Sequence, residues 1–174
     1  MKKISVIIGL LVLIILAIFF LGNTTHMKTF TVTSTAFNEG EMIPSKYTCD
    51  AEELSPPMSL SGVPEEAKSL ALIMDDPDTS IGTFVHWVTW NIDPKTLYIA
   101  EGVVPTGVLG KNGTGETGYV SPCPPTGTHH YHFKWYALDT ELSLTEGTKV
   151  DLLKAMEGHV VGQGELVGLY KKNQ

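Results

Sequence analysis

Residues 129–139 read HHYHFKWYALD. Taken two at a time, His129, Tyr131, Phe133, Trp135 and Ala137 fall on one side and His130, His132, Lys134 and Tyr136 on the other, the period of a β-strand with one apolar face. A second stretch, FVHWVTWNI (84–92), is β-branched and aromatic throughout and reads as a strand covered on both faces. Ideal alternation would group Phe84, His86, Val88, Trp90 and Ile92 on one side, so His86 is expected among bulky apolar groups. Between these anchors, Ser69–Met74 is a short apolar strand that runs into Asp75, Asp76 and Asp78. Carboxylates at the mouth of an apolar run are either solvated or part of a site, because burying them unpaired costs several kcal/mol.

The remainder follows the same grammar. Phe30–Phe37 alternates as a strand, and Asn38–Leu60 is broken by Pro44, Pro56 and Pro57 into loop with short edge strands. Asp93–Thr128 is rich in glycine and proline and too long to be an inert connection. One helix is expected, with Thr148 as N-cap, Asp151 three residues on, a Leu152, Leu153 and Met156 stripe, and Gly158 as its stop. Val160–Tyr170 returns as a last strand interrupted by glycines. The fold class is mostly β: an antiparallel β-sandwich with long loops and one short helix in its C-terminal half.

The first segment is different. Lys2 and Lys3 precede the uncharged run Ile4–Leu21, whose 18 residues would reach about 27 Å as a helix, close to a bilayer's hydrocarbon thickness. The expectation is an N-terminal transmembrane helix within residues 1–27, with a cleaved secretory signal as the alternative, and residues 28–174 as the domain outside the cytoplasm. That domain carries ten lysines, no arginine and nineteen acids, a net −9. Without the guanidinium forks and cationic footprint that grip phosphate backbones, nucleic acid is excluded as a partner. Cys49 and Cys123 are the two cysteines. In an oxidising exterior they suggest a disulfide; two small buried thiols are the alternative.

Four ordered segments, YTCDAEELSPPMSLSGVP (47–64), DDPDTSIGTFVHWVTWNI (75–92), SPCPPTGTHHYHFKWYALD (121–139) and AMEGHVVGQGELVGLY (155–170), together resemble the phosphatidylethanolamine-binding protein family, specifically its bacterial and archaeal Raf-kinase-inhibitor-like branch. The resemblance implies a β-sandwich with a small anion-binding cavity near one end. It places Asp76, Pro77 and Asp78, His86, His129 and Tyr131 around that cavity, with Pro122 and Cys123 of the proline-rich loop. It implies a phosphate-like ligand or phosphoethanolamine head group, no cofactor and no metal. In that reading His86, His129 and Tyr131 donate to anionic oxygens, Asp76 orients a histidine or takes a proton, and Asp78 braces its loop. Two departures stand out: Ser80 where the family commonly has proline, and Val120 and Ser121 where it has glycines.

Catalysis is not expected. A hydrolase could be imagined on the His and Asp cluster, but no H-E-x-x-H or G-x-S-x-G spacing exists, and His130 and His132 point away from His129 on an ideal strand. The stronger rival is a protein-interaction or inhibitor module using the pocket rim and the loops between Asp93 and Gly118.

Overall fold

The computed structural model describes residues 27–173. Its strands are β1 (Lys28–Thr29), β2 (Thr31–Thr33), β3 (Met58–Ser61), β4 (Ser69–Asp76), β5 (Phe84–Ile92), β6 (Tyr98–Ile99), β7 (Val108–Leu109), β8 (His129–Leu138) and β9 (Val160–Tyr170), with one helix, α1 (Lys149–Ala155), before β9. They form a six-stranded sheet in the order β1-β9-β8-β4-β5-β7 and a three-stranded sheet in the order β2-β3-β6. Pairing is antiparallel except between β1 and β9.

The large sheet is covered on both faces at its centre, which explains why β4 is buried at every residue. On its inner face Leu70, Leu72, Met74, Tyr131, Phe133 and Trp135 meet Val32, Met58 and Leu60 of the small sheet. On its outer face Ala71, Ile73, Val88 and Trp90 pack under Leu152 and Met156, from α1 and the turn that follows it. The alternation read in β8 holds: the odd-numbered residues from His129 to Ala137 are buried, while His130 is exposed and His132, Lys134 and Tyr136 are half-buried on the other face.

The helix begins as its sequence dictates: the Asp151 carboxylate accepts from both the backbone N–H and the hydroxyl of Thr148 at 2.8 Å. Gly158 takes φ +79° just beyond it, the left-handed turn that glycine adopts without strain. The glycines of β9 do not interrupt that strand. A Cβ on Gly164 would stand 2.4 Å from the Phe30 carbonyl oxygen, so the missing side chain is what lets the first strands close over β9.

Three expectations are corrected. Among the described residues no helix is long and apolar enough to cross a membrane, and the run Ile4–Leu21 on which that expectation fell lies outside them, so the fold described is mostly β with one short α-helix and the expected transmembrane helix is not supported. The strand expected over Phe30–Phe37 is confined to β2, and Asp93–Thr128 contains β6 and β7, each too short to show a period.

The third correction concerns β5. Met74 pairs with Trp87 and Asp75 with Val85, two steps on β5 against one on β4, which makes His86 the extra residue of a bulge. A second irregularity follows at Asn91, at φ +55°, whose amide exchanges two 2.8 Å hydrogen bonds with the Leu142 backbone. The single face expected for Phe84, His86, Val88, Trp90 and Ile92 is therefore split: Trp87 and Ile92 join the inner core, Val88 and Trp90 the outer one.

Candidate functional site

Because β5, β4 and β8 are neighbours, the end of β4, the bulge in β5 and the start of β8 meet at one edge of the inner face. There a cavity of about 290 Å³ is lined by Asp76, Phe84, His86, Cys123, His129 and Tyr131, with Ile81, Val120, Ser121, Pro124 and Pro125 at its walls and mouth. That is room for a small ligand rather than a large one. The bulge is what delivers His86: its ring packs edge-on against Tyr131 at 5.2 Å and against Phe84 at 4.8 Å.

Each polar group is tied down by a specific partner. His129 Nδ1–H donates to Asp76 Oδ2 at 2.7 Å, and the other oxygen, Oδ1, accepts the Asp78 backbone N–H at 2.8 Å. His86 Nδ1–H donates to the Val120 carbonyl at 2.8 Å, while the Val120 N–H returns to the His86 carbonyl at 2.9 Å. A carbonyl can only accept, so this contact fixes which ring nitrogen of His86 holds a proton. Burial pushes the His86 imidazole below its ordinary pKa, only partly opposed by the Val120 bond and by Asp76. In that tautomer the other ring nitrogen, Nε2, carries a lone pair.

The Tyr131 side chain is fully buried, and its hydroxyl has no partner among the described residues. Burial, with Asp76 and Asp78 nearby, raises its pKa, so it stays protonated and able to donate. An unsatisfied buried hydroxyl costs about 1–3 kcal/mol, which a hydrogen-bonding ligand would recover. The Nε1 atoms of Trp87 and Trp135 are similarly unpaired, but those indoles do not line the cavity.

The other residues singled out in the sequence surround this group. Cys123 is joined to Cys49. The Cys49 N–H donates to the Pro122 carbonyl at 3.1 Å, so Pro122 secures the loop rather than lining the cavity. Asp78 also lies outside the lining; its carboxylate accepts from the backbone and ring of His130 at 2.7 Å, which holds it below the usual carboxylate range. His132 pairs with Glu165 at 2.8 Å on the opposite face. Val120 and Ser121 stand against the cavity despite their side chains: Ser121 turns its hydroxyl to Glu53 at 2.5 Å, and Val120 uses only its backbone. Among the described residues no cluster of three or more His, Cys, Asp or Glu is arranged to hold a metal.

Sequence reasoning missed two contributors. Val120, as the acceptor for His86, carries no signal because its backbone does the work. Asp75, fully buried on the outer face, is gripped by Lys134 Nζ at 2.8 Å and by Lys149 Nζ. An acid one step from Asp76 in an apolar strand must face the other way, and that parity was the available signal.

Comparison with known proteins places this geometry. The family model described as phosphatidylethanolamine-binding protein matches residues 33–171. A UPF0098 protein of Methanothermobacter thermautotrophicus is 52% identical over 144 residues, covering 79% of this chain and 95% of that protein. One from Pyrococcus horikoshii is 46% identical, over 95% of this chain and 88% of its own length. The crystal structure of a phosphatidylethanolamine-binding protein homologue from Chlamydia trachomatis superposes with a TM-score of 0.81 at 47% identity, covering 84% of this chain and 99% of that one. That of Escherichia coli YbcL, titled a member of the mammalian family, gives 0.75 at 30%, covering 83% and 99%. The chain belongs to the phosphatidylethanolamine-binding protein family.

Proposed function

We propose that this protein is a non-catalytic binding protein whose cavity takes a small oxyanion of the phosphate or phosphoethanolamine class. One observation carries the reading: the buried Tyr131 hydroxyl lacks a partner beside two imidazoles whose Nδ1 atoms are already committed. Such a group is satisfied by a ligand rich in oxygen and small enough for about 290 Å³. Because Asp76 sits 2.7 Å from His129 and no lysine lines the cavity, affinity is modest. The Cys49–Cys123 bond supports a site of action outside the reducing cytoplasm. The test is a titration of the protein with phosphate and phosphoethanolamine, followed on the histidine ring resonances and repeated with Tyr131→Phe. Saturable shifts of His86 and His129 that weaken in the variant support the reading; unmoved rings at millimolar ligand reject it.

A second reading is favoured by Ile81, which is 89% exposed at the cavity mouth. An apolar side chain so placed suits contact with a protein partner at the rim. An Ile81→Ser variant that abolishes a partner interaction while leaving the ring shifts intact would support it.

A further inference from the structure

The two imidazoles of the cavity differ in a way that bears on what the cavity accepts. His129 gives its Nδ1–H to a carboxylate, Asp76 Oδ2, at 2.7 Å. His86 gives its Nδ1–H to the neutral carbonyl of Val120, where nothing balances a second proton. Its side chain is buried at 5% exposure. The charged and titratable groups facing it are Asp76 from β4 and His129 and Tyr131 from β8, with Asp75 acting on its charge from the far side of the sheet; on the Val120–Pro125 segment the only ionisable side chain, Cys123, is in the disulfide. The cavity therefore combines a donor, the Tyr131 hydroxyl, with an acceptor, His86 Nε2. Neither nitrogen's Nε2 has a partner among the described residues, and both rings line the cavity.

Resting on the oxyanion reading above, we infer that the cavity selects an oxyanion that itself carries a proton, a phosphate or phosphate monoester bearing one P–OH, over sulfate or a phosphodiester. The P–OH donates to His86 Nε2, and another oxygen accepts from the Tyr131 hydroxyl. A fully deprotonated oxyanion sets its lone pairs against that of His86 and against the Asp76 charge, in a site too dry to screen either. The proton is shared and not transferred, so no bond is made or broken. The consequence is that a free phosphomonoester fits where the diester of an intact phospholipid does not.

Four probes test this by calorimetry on the protein: inorganic phosphate, sulfate, methyl phosphate and dimethyl phosphate. At about pH 8 inorganic phosphate and sulfate are dianions of the same shape that differ by one proton, and phosphate is expected to bind at least about tenfold tighter, the equivalent of one lost hydrogen bond. Methyl phosphate loses its proton near pH 6, so its dissociation constant should rise about tenfold per pH unit above that point, while inorganic phosphate holds its affinity. Dimethyl phosphate, a monoanion without a proton, separates charge from donation and is expected to bind at least about tenfold more weakly than protonated methyl phosphate. Equal binding of phosphate and sulfate, or of the mono- and diester, overturns proton selection and leaves the oxyanion reading standing. Failure of all four to bind removes both. Independently of any ligand, the ring ¹⁵N shifts of His86 at neutral pH should show a protonated Nδ1 and a bare Nε2; an imidazolium or an Nε2–H tautomer overturns the inference.

Discussion

Asp75 and Asp76 are adjacent on β4 and both are buried, yet they do opposite things. Asp75 faces the outer side of the sheet, where two lysines, one from β8 and one from the start of α1, overmatch its charge and staple the helix to the sheet. Asp76 faces the cavity, where its partner is a histidine and a backbone N–H. A carboxylate met by permanent cations has no capacity left for a ligand. One met by an imidazole and a backbone N–H is held by hydrogen bonds without a permanent cation beside it. The difference between staple and site is thus set by the partner's chemistry, with strand parity deciding which partner each carboxylate meets.

The largest expected effect probes how the cavity side is held without such a staple. Replacing Cys49 and Cys123 by serine opens a link across a sequence separation of 74 residues and should cost about 4 kcal/mol by chain entropy. Urea unfolding reads this directly, and a loss below about 1 kcal/mol would mean the loops hold themselves. Next, Asp75→Ala should cost about 3 kcal/mol, because both lysines lose the charge that holds them, while phosphate titration stays unchanged. Asp76→Ala should show the reverse weighting, a smaller loss of stability with loss of the phosphate response. If both variants behave alike in the two assays, the contrast between the aspartates fails.

A third prediction concerns pH. The depressed pKa of His86 means that below about 6.5 the unfolded chain binds a proton that the folded chain refuses. Its contribution to stability is therefore complete above that value and drains as the pH falls through it. The urea midpoint of the wild-type protein should drop on acidification from neutrality, with a shallower slope in His86→Asn. The smallest effect is Tyr131→Phe. With no hydrogen bond to lose, the ligand-free protein should be unchanged or up to about 1 kcal/mol more stable by urea unfolding, although phosphate binding weakens.

How far this was legible depends on which physical signal each part carries. β8, the Thr148–Gly158 helix and the extent of β9 were readable because period, cap and stop residues act locally. The convergence of Asp76, His86, His129 and Tyr131 was available only through the family resemblance, since spacing does not reveal which strands become neighbours. The orientation of β5 was not readable at all: a bulge changes parity without changing composition, and the flanking apolar residues satisfy either core. The Asp75 clamp was hidden differently, because Lys149 lies 74 residues away and looks like any solvated helix residue. The pairing of His86 with a backbone carbonyl left no trace, since a carbonyl is present at every residue.

The pairing of β4 with β8 also has a consequence in time. Its register joins Ser69 to Leu138 and Asp75 to His132, so the sheet cannot close there until segments some 60 residues apart have found each other. The β4–β5 hairpin and the β8–β9 pair with its intervening helix can each form locally and early, whereas the cavity, which needs both side by side, awaits the distant encounter. Loop-closure entropy falls due before those contacts repay it, which puts such assembly toward the millisecond-to-second end of folding. A refolding chain of this protein would therefore hold its helix and hairpins well before its cavity closed, and completion of the cavity is a clock for the last stage of its folding.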